Sequence, residues 1–167
     1  MWVLIVSELL VFGAALAAFL AVRAGEPELF AQSQGQLDRA AGALNTLVLV
    51  TSGLFAALAV RASEAAKFGR ARLWLLLAIA LGLLFLAVKG MEYADKAALG
   101  IDVDTNAFFT FYYLVTGFHA LHVVAGIVIL VLVGWRAEPA GVEVGAAFWH
   151  MVDLVWVLRF PVIYLLG

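Results

Sequence analysis

TNAFFTFYYLVTGFHALHVVAGIVILVLVG, Thr105 to Gly134, runs for thirty residues without an Asp, Glu, Lys or Arg. A helix rises 1.5 Å per residue, and about 20 apolar residues cross the hydrocarbon of a bilayer. This stretch is therefore a membrane span with length to spare. Four more apolar runs qualify: about Trp2 to Val22, Ala43 to Val60, Leu73 to Glu92, and Val144 to Leu166. The uncharged core between Arg72 and Lys89 is short for a span. It becomes long enough if Lys89 snorkels outward and the helix continues toward Ala94. The first run lacks the basic start of a signal peptide and carries Glu8 in what would be its apolar core, so it reads as a retained helix.

Composition agrees with five spans. Hydrophobic residues make up 66% of the 167, charged residues only 13%, and mean hydropathy is +1.07, whereas about a quarter of a soluble domain is charged. The expected fold is all-α, an integral membrane bundle of five transmembrane helices forming one domain over residues 1–167. With no cysteine, the chain cannot build a disulfide, a thiolate metal site or an iron–sulfur cluster by itself. Nothing in its charge points to nucleic acid.

Charge position sets the orientation. The connection Arg61 to Arg72 (RASEAAKFGRAR) holds Arg61, Lys67, Arg70 and Arg72 against one acid, while the loops on either side carry Glu26, Glu28 and Asp38, and Asp95, Asp102 and Asp104. Lys and Arg in short loops mark the cytoplasmic side. The expected location is a bacterial inner membrane, with the N-terminus cytoplasmic and the C-terminus periplasmic.

Ionisable groups are costly in hydrocarbon, so those inside the spans are functional or assembly candidates. They are Glu8, His119, His122, His150 and Asp153, with Lys89 and Glu92 toward the outer end, where the two are expected to pair. At 1.5 Å per residue, Glu8, His122, His150 and Asp153 reach similar depths and could meet in the inner half of the bundle. His119 and His122 share a helix face, as do His150 and Asp153. For the histidines three readings stand side by side: hydrogen bonds between helices, a proton relay, and metal or haem ligation by His122 and His150. HxxH is not the HExxH of a zinc protease. Glu8 is as readily a buried acid bonded to a neighbouring helix as a transport group. Asn45, Thr46, Thr51, Ser52 and Gly53 read as packing positions between helices. Trp149 and Trp156, a heptad apart, read as a stripe facing lipid or a partner.

These residues also carry a resemblance. TGFHALHVVAG (Thr116 to Gly126) resembles the TGFHGLHV motif of cytochrome c oxidase subunit III, and FWHMVDLVWVLRFPVIYLLG (Phe148 to Gly167) resembles that family's WHFVDxVW helix. LNTLVLVTSG (Leu44 to Gly53), Ser7-Glu8 and Glu92-Tyr93 are similar to its LNTxxLLxSG, SE and EY elements. The five spans match in order, without the first two helices of the seven-helix mitochondrial pattern. The start MWVLIVSELLVFG and the end HMVDLVWVLRFPVIYLL look most like the short subunit-III-like proteins of the NorE type, associated with nitric oxide reductases, although short quinol oxidase subunits also have five helices. Arg159 departs from the pattern, standing where the oxidase subunit is apolar; it is expected to reach outward or to find an acid such as Glu92.

The resemblance implies an accessory, non-redox subunit of a haem-copper oxidase or nitric oxide reductase, with no catalytic centre and no metal or redox cofactor of its own. Haem and metal would belong to the partner catalytic subunit. Membrane lipids would be further partners, phospholipid filling a cleft between helix groups. By the same analogy Glu8 corresponds to the family's buried carboxylate, and His119, His122, His150, Asp153 and Glu92 to its intramembrane polar set. Two other readings remain at this point: an independent proton or small-solute carrier, and a membrane redox protein with haem between His122 and His150.

Overall fold

The computed structural model describes residues 2–166; Met1 and Gly167 of the expected domain lie outside the described residues. The chain is all-α. Five long helices carry the spans: α1 (Trp2–Gly25), α3 (Arg39–Glu64), α4 (Phe68–Ala98), α5 (Ala107–Arg136) and α6 (Pro139–Phe160), with the short α2 (Pro27–Gln34) between the first two. A π-helical turn, Pro161–Leu165, extends α6. All five long elements have the length and apolarity to cross a membrane. The helices overrun most of the apolar stretches, because a helix does not stop where hydrocarbon stops. Asp38 caps α3 by accepting from the Ala41 N–H at 2.9 Å, and Asn106 caps α5 through the Phe109 N–H at 3.0 Å. Pro27 and Pro139 occupy first turns, where no helical N–H is lost.

Helices α3, α4, α5 and α6 pack in a closed ring, each against two neighbours, and α1 leans on α5 and α6 from outside. The ring closes around Trp149. A Cβ on Gly82 of α4 would lie 2.7 Å from this indole and one on Gly126 of α5 would lie 2.6 Å from it. The two glycines therefore form the socket that lets α4 and α5 approach α6. One apolar core runs from Ile5 to Tyr164.

The acidic connection after α1 is more structured than its composition suggests. Phe30 of α2 is fully buried, 5.2 Å from Phe19 of α1 and 5.5 Å from Phe108 of α5 between ring centroids. Gln34 donates its side-chain amide to the carbonyls of Val162 (3.0 Å) and Ile163 (2.9 Å). Those carbonyls belong to the last turn of a helix, which lacks partners of its own. So α2 lies over the acidic end of the bundle and caps the chain's final helix. At the opposite, basic end, Arg72 does similar work: its Nε and Nη2 donate to the carbonyls of Gly134 (3.3 Å) and Trp135 (3.0 Å) at the end of α5.

Candidate functional site

The intramembrane polar residues fall into separate places rather than one cluster. Glu8 of α1 and His122 of α5 meet, Oε2 to Nε2 at 3.0 Å. The other ring nitrogen, Nδ1, lies 2.8 Å from the Phe118 carbonyl. A carbonyl only accepts, so Nδ1 carries a hydrogen, and the contact with Glu8 is closed by one proton held on either Nε2 or Oε2. Phe12 and Phe118 pack on the imidazole with centroids 5.3 and 4.6 Å away. With both nitrogens engaged, His122 ties α1 to α5.

His150 and Asp153 do not join this pair. They face α3, where Gly53 sits so close to the Asp153 carboxylate that a Cβ would collide with Oδ2. His150 Nδ1 is 4.0 Å from Asp153 Oδ2, and the imidazole is about half exposed on the bundle's outer surface. The residues of α6 that line its crevice with α1 are Val155, Leu158 and Arg159. At 100° per residue these lie on nearly the opposite side of α6 from His150 and Asp153. Similar depth was legible in the sequence; which neighbour each face of α6 receives was not.

His119 goes inward. It is fully buried between Phe85 and Trp156, at 5.7 and 5.4 Å, and neither nitrogen has a hydrogen-bond partner among the described residues. Beside it lies Arg159, 2% exposed, which contradicts the expectation that it reaches outward or pairs with an acid. Its Nη1 donates to the Val115 carbonyl, and Nε and Nη2 have no partner among the described residues. The guanidinium sits against the rings of Phe12 and Trp156, 5.2 and 5.7 Å from their centroids. The π-faces supply what electrostatic stabilisation the guanidinium receives beyond one carbonyl.

Toward the acidic end, Lys89 and Glu92 are joined at 2.8 Å. Lys89 does not snorkel outward: it is 2% exposed, and the helix reaches Ala98 regardless. Its ammonium donates to Glu92, Tyr112 (2.9 Å) and Tyr164 (2.6 Å). The rings of Tyr93, Tyr112, Trp156 and Tyr164 surround it at 4.8 to 5.5 Å. Tyr112 donates to Glu92 at 2.7 Å, and Tyr164 lies 3.0 Å from the same oxygen. Three elements, α4, α5 and the turn after α6, are thereby pinned through one charge pair. Next to it Thr116 donates to the Tyr112 carbonyl at 2.5 Å and Tyr93 contacts the Thr116 hydroxyl at 2.5 Å.

The tryptophans of α6 face inward, not toward lipid. Trp149 and Trp156 are almost fully buried and donate to Ser52 and Thr46 of α3, each at 3.0 Å. Ser52 in turn donates to the Ala78 carbonyl of α4 at 2.8 Å, so one hydroxyl links three helices. An indole buries a large apolar body while its N–H requires an acceptor. That requirement was the signal by which the small polar residues of α3 could have been matched to the tryptophans.

Against this arrangement stand the comparisons. Residues 1–167 match the family model for cytochrome c oxidase subunit III. The chain belongs to that family. Cytochrome c oxidase subunit 3 of Thermostichus vulcanus is 31% identical over 176 residues, covering 98% of this chain and 84% of the relative. The Synechocystis sp. protein of the same name is 29% identical, with coverages of 97% and 72%. A probable cytochrome c oxidase subunit 3 of Mycobacterium tuberculosis is 30% identical, with 95% and 82%. In this subunit III family member, the polar residues that carried the resemblance, Glu8, Glu92, His119, His122, His150 and Asp153, are among those described above.

Proposed function

We propose that this chain is the non-redox accessory subunit of a bacterial haem-copper respiratory complex, docked beside the catalytic subunit that holds haem and metal. The observation that carries the reading is the family match over residues 1–167. The polar contacts are consistent with it, because they join helices to one another: Glu8 links α1 to α5, and the Lys89–Glu92 pair links α4 to α5 and the final turn. Such contacts make a durable scaffold. The outward faces of α1 and α4 are apolar and suit docking or lipid, with Leu10, Val11, Leu76 and Leu83 exposed.

The partner reduces oxygen or nitric oxide. The relatives' names favour an oxidase; the terminal segments MWVLIVSELLVFG and HMVDLVWVLRFPVIYLL favour the NorE type. Phospholipid belongs in the crevice between α1 and α6, lined by Leu9, Phe12, Gly13, Leu16, Val155 and Leu158. The basic Arg61 to Arg72 connection supports an orientation with the N-terminus in the cytoplasm and the C-terminus in the periplasm.

Deleting the chain from its native host tests the role. The expected result is a catalytic subunit with normal haem content that assembles in lower yield or loses activity sooner during turnover. Glu8→Ala should reproduce part of that loss by freeing α1 from α5. Unchanged yield, lipid content and turnover lifetime in both strains would end the proposal.

A further inference from the structure

At the basic end a groove opens between α4 and α5. Its walls are Leu75, Leu76 and Ile79 on one side and Leu130 and Val131 on the other, with Arg72 and Gly134 at the mouth. Arg72 is the fifth residue of α4 and Gly134 the third from the end of α5. The groove therefore begins at the membrane boundary and, from Arg72 to Ile79, descends about 10 Å toward the middle. Gly134 keeps the mouth open: a Cβ there would already lie 3.3 Å from Leu75. The lining is almost wholly apolar, with Arg72 its one charged residue. Arg72 spends Nε and Nη2 on the Gly134 and Trp135 carbonyls, which holds the guanidinium beside the mouth and leaves Nη1 without a partner among the described residues. Arg61, Lys67, Arg70 and Arg136 are exposed at the same end, as are the acids Glu64, Glu138 and Glu143, so cations exceed acids five to three. Trp135, 83% exposed, stands beside the mouth at the level where amphipathic rings favour the headgroup region.

From this combination we infer that the α4–α5 groove holds one acyl chain of an anionic phospholipid whose phosphate pairs with Arg72. An apolar groove descending about 10 Å from the membrane boundary fits the upper part of a tail. A cation held at its mouth by backbone carbonyls, with donors to spare, fits the phosphate. Basic residues at a membrane surface attract anionic headgroups, and Arg is suited to phosphate through its fork of donors. The groove shares no lining residue with the α1–α6 crevice, and the site stands whichever catalytic subunit is the partner.

The full chain, extracted in mild detergent and exchanged into vesicles of phosphatidylcholine with a minor fraction of phosphatidylglycerol, tests this by native mass spectrometry. One phosphatidylglycerol should stay bound in preference to phosphatidylcholine. Its retention should fall about tenfold in Arg72→Gln, equivalent to about 1.4 kcal/mol. Leu76→Trp keeps Arg72 and fills the groove from an exposed position, and it should give a comparable loss. Phosphatidylglycerol with a photoreactive tail should label Leu75, Leu76, Ile79, Leu130 or Val131. Equal retention of the two lipids, wild-type retention in both variants, or labelling confined to α1 and α6 would overturn the assignment. So would labelling of a partner subunit's helix at this face of the intact complex.

Discussion

Replacing Lys89 with Met should be among the most damaging single changes in the bundle. The substitution preserves most of the side chain's volume but strips Glu92 of its cation and removes three hydrogen bonds, to Glu92, Tyr112 and Tyr164. Two magnitudes compete. If these bonds behave like average polar contacts in a membrane protein, about 0.6 kcal/mol each, the loss is roughly 2 kcal/mol. If the decisive effect is a carboxylate left buried without its partner, the loss is about 3–5 kcal/mol. Lys89 and Glu92 are 2% and 6% exposed, so solvent cannot substitute, and the second figure should apply. Glu92→Gln leaves the ammonium without a counter-charge and should cost a similar amount. Lys89→Met with Glu92→Gln removes both charges, so the double variant should lose only about 2 kcal/mol, far less than the sum of the singles, which identifies direct coupling. Reversible unfolding in mixed micelles, followed by tryptophan fluorescence, measures all three. Additive losses, or a Lys89→Met variant within about 0.5 kcal/mol of wild type, would refute the reasoning from a buried pair.

Gly126→Ala places a Cβ 2.6 Å from the Trp149 ring and should destabilise by about 1–3 kcal/mol, whereas Gly13→Ala meets nothing within 4 Å and should be neutral or gain up to about 1 kcal/mol; equal effects in thermal melts would count against the tryptophan socket. Arg159→Leu removes a buried guanidinium with two unpartnered nitrogens, and it should stabilise the isolated chain by about 1–3 kcal/mol. A lower melting temperature would mean that the contacts to the Val115 carbonyl and the two rings outweigh that cost. In a cycle of Glu8→Ala and His122→Ala, the double variant should be little worse than either single; independent losses would show that the pair does not join α1 to α5.

Much of the architecture was written in hydropathy. Thirty uncharged residues from Thr105 to Gly134 admit few structures in a bilayer other than a helix, because every backbone group must find its partner within the segment. The short α2 was harder to see, since its docking depends on Phe30 and Gln34 meeting residues that are distant in sequence. Helical spacing placed Lys89 and Glu92 on one face, one turn apart, but could not show that two tyrosines from elsewhere make burial of that lysine tolerable. For Glu8, His122, His150 and Asp153, depth followed from residue counting, whereas azimuth depended on the neighbours each helix selects. The inward turn of Trp149 likewise required Gly82 and Gly126, residues that no local pattern connects to it.

Mild-detergent purification of the tagged chain from its native membranes, with mass spectrometry and a haem spectrum of what accompanies it, tests the accessory role most directly. The account predicts a haem-bearing catalytic subunit in stoichiometric amount, and the identity of that subunit separates an oxygen-reducing from a nitric oxide-reducing complex. Recovery of the chain without a haem protein, under extraction gentle enough to keep other respiratory complexes whole, would contradict it.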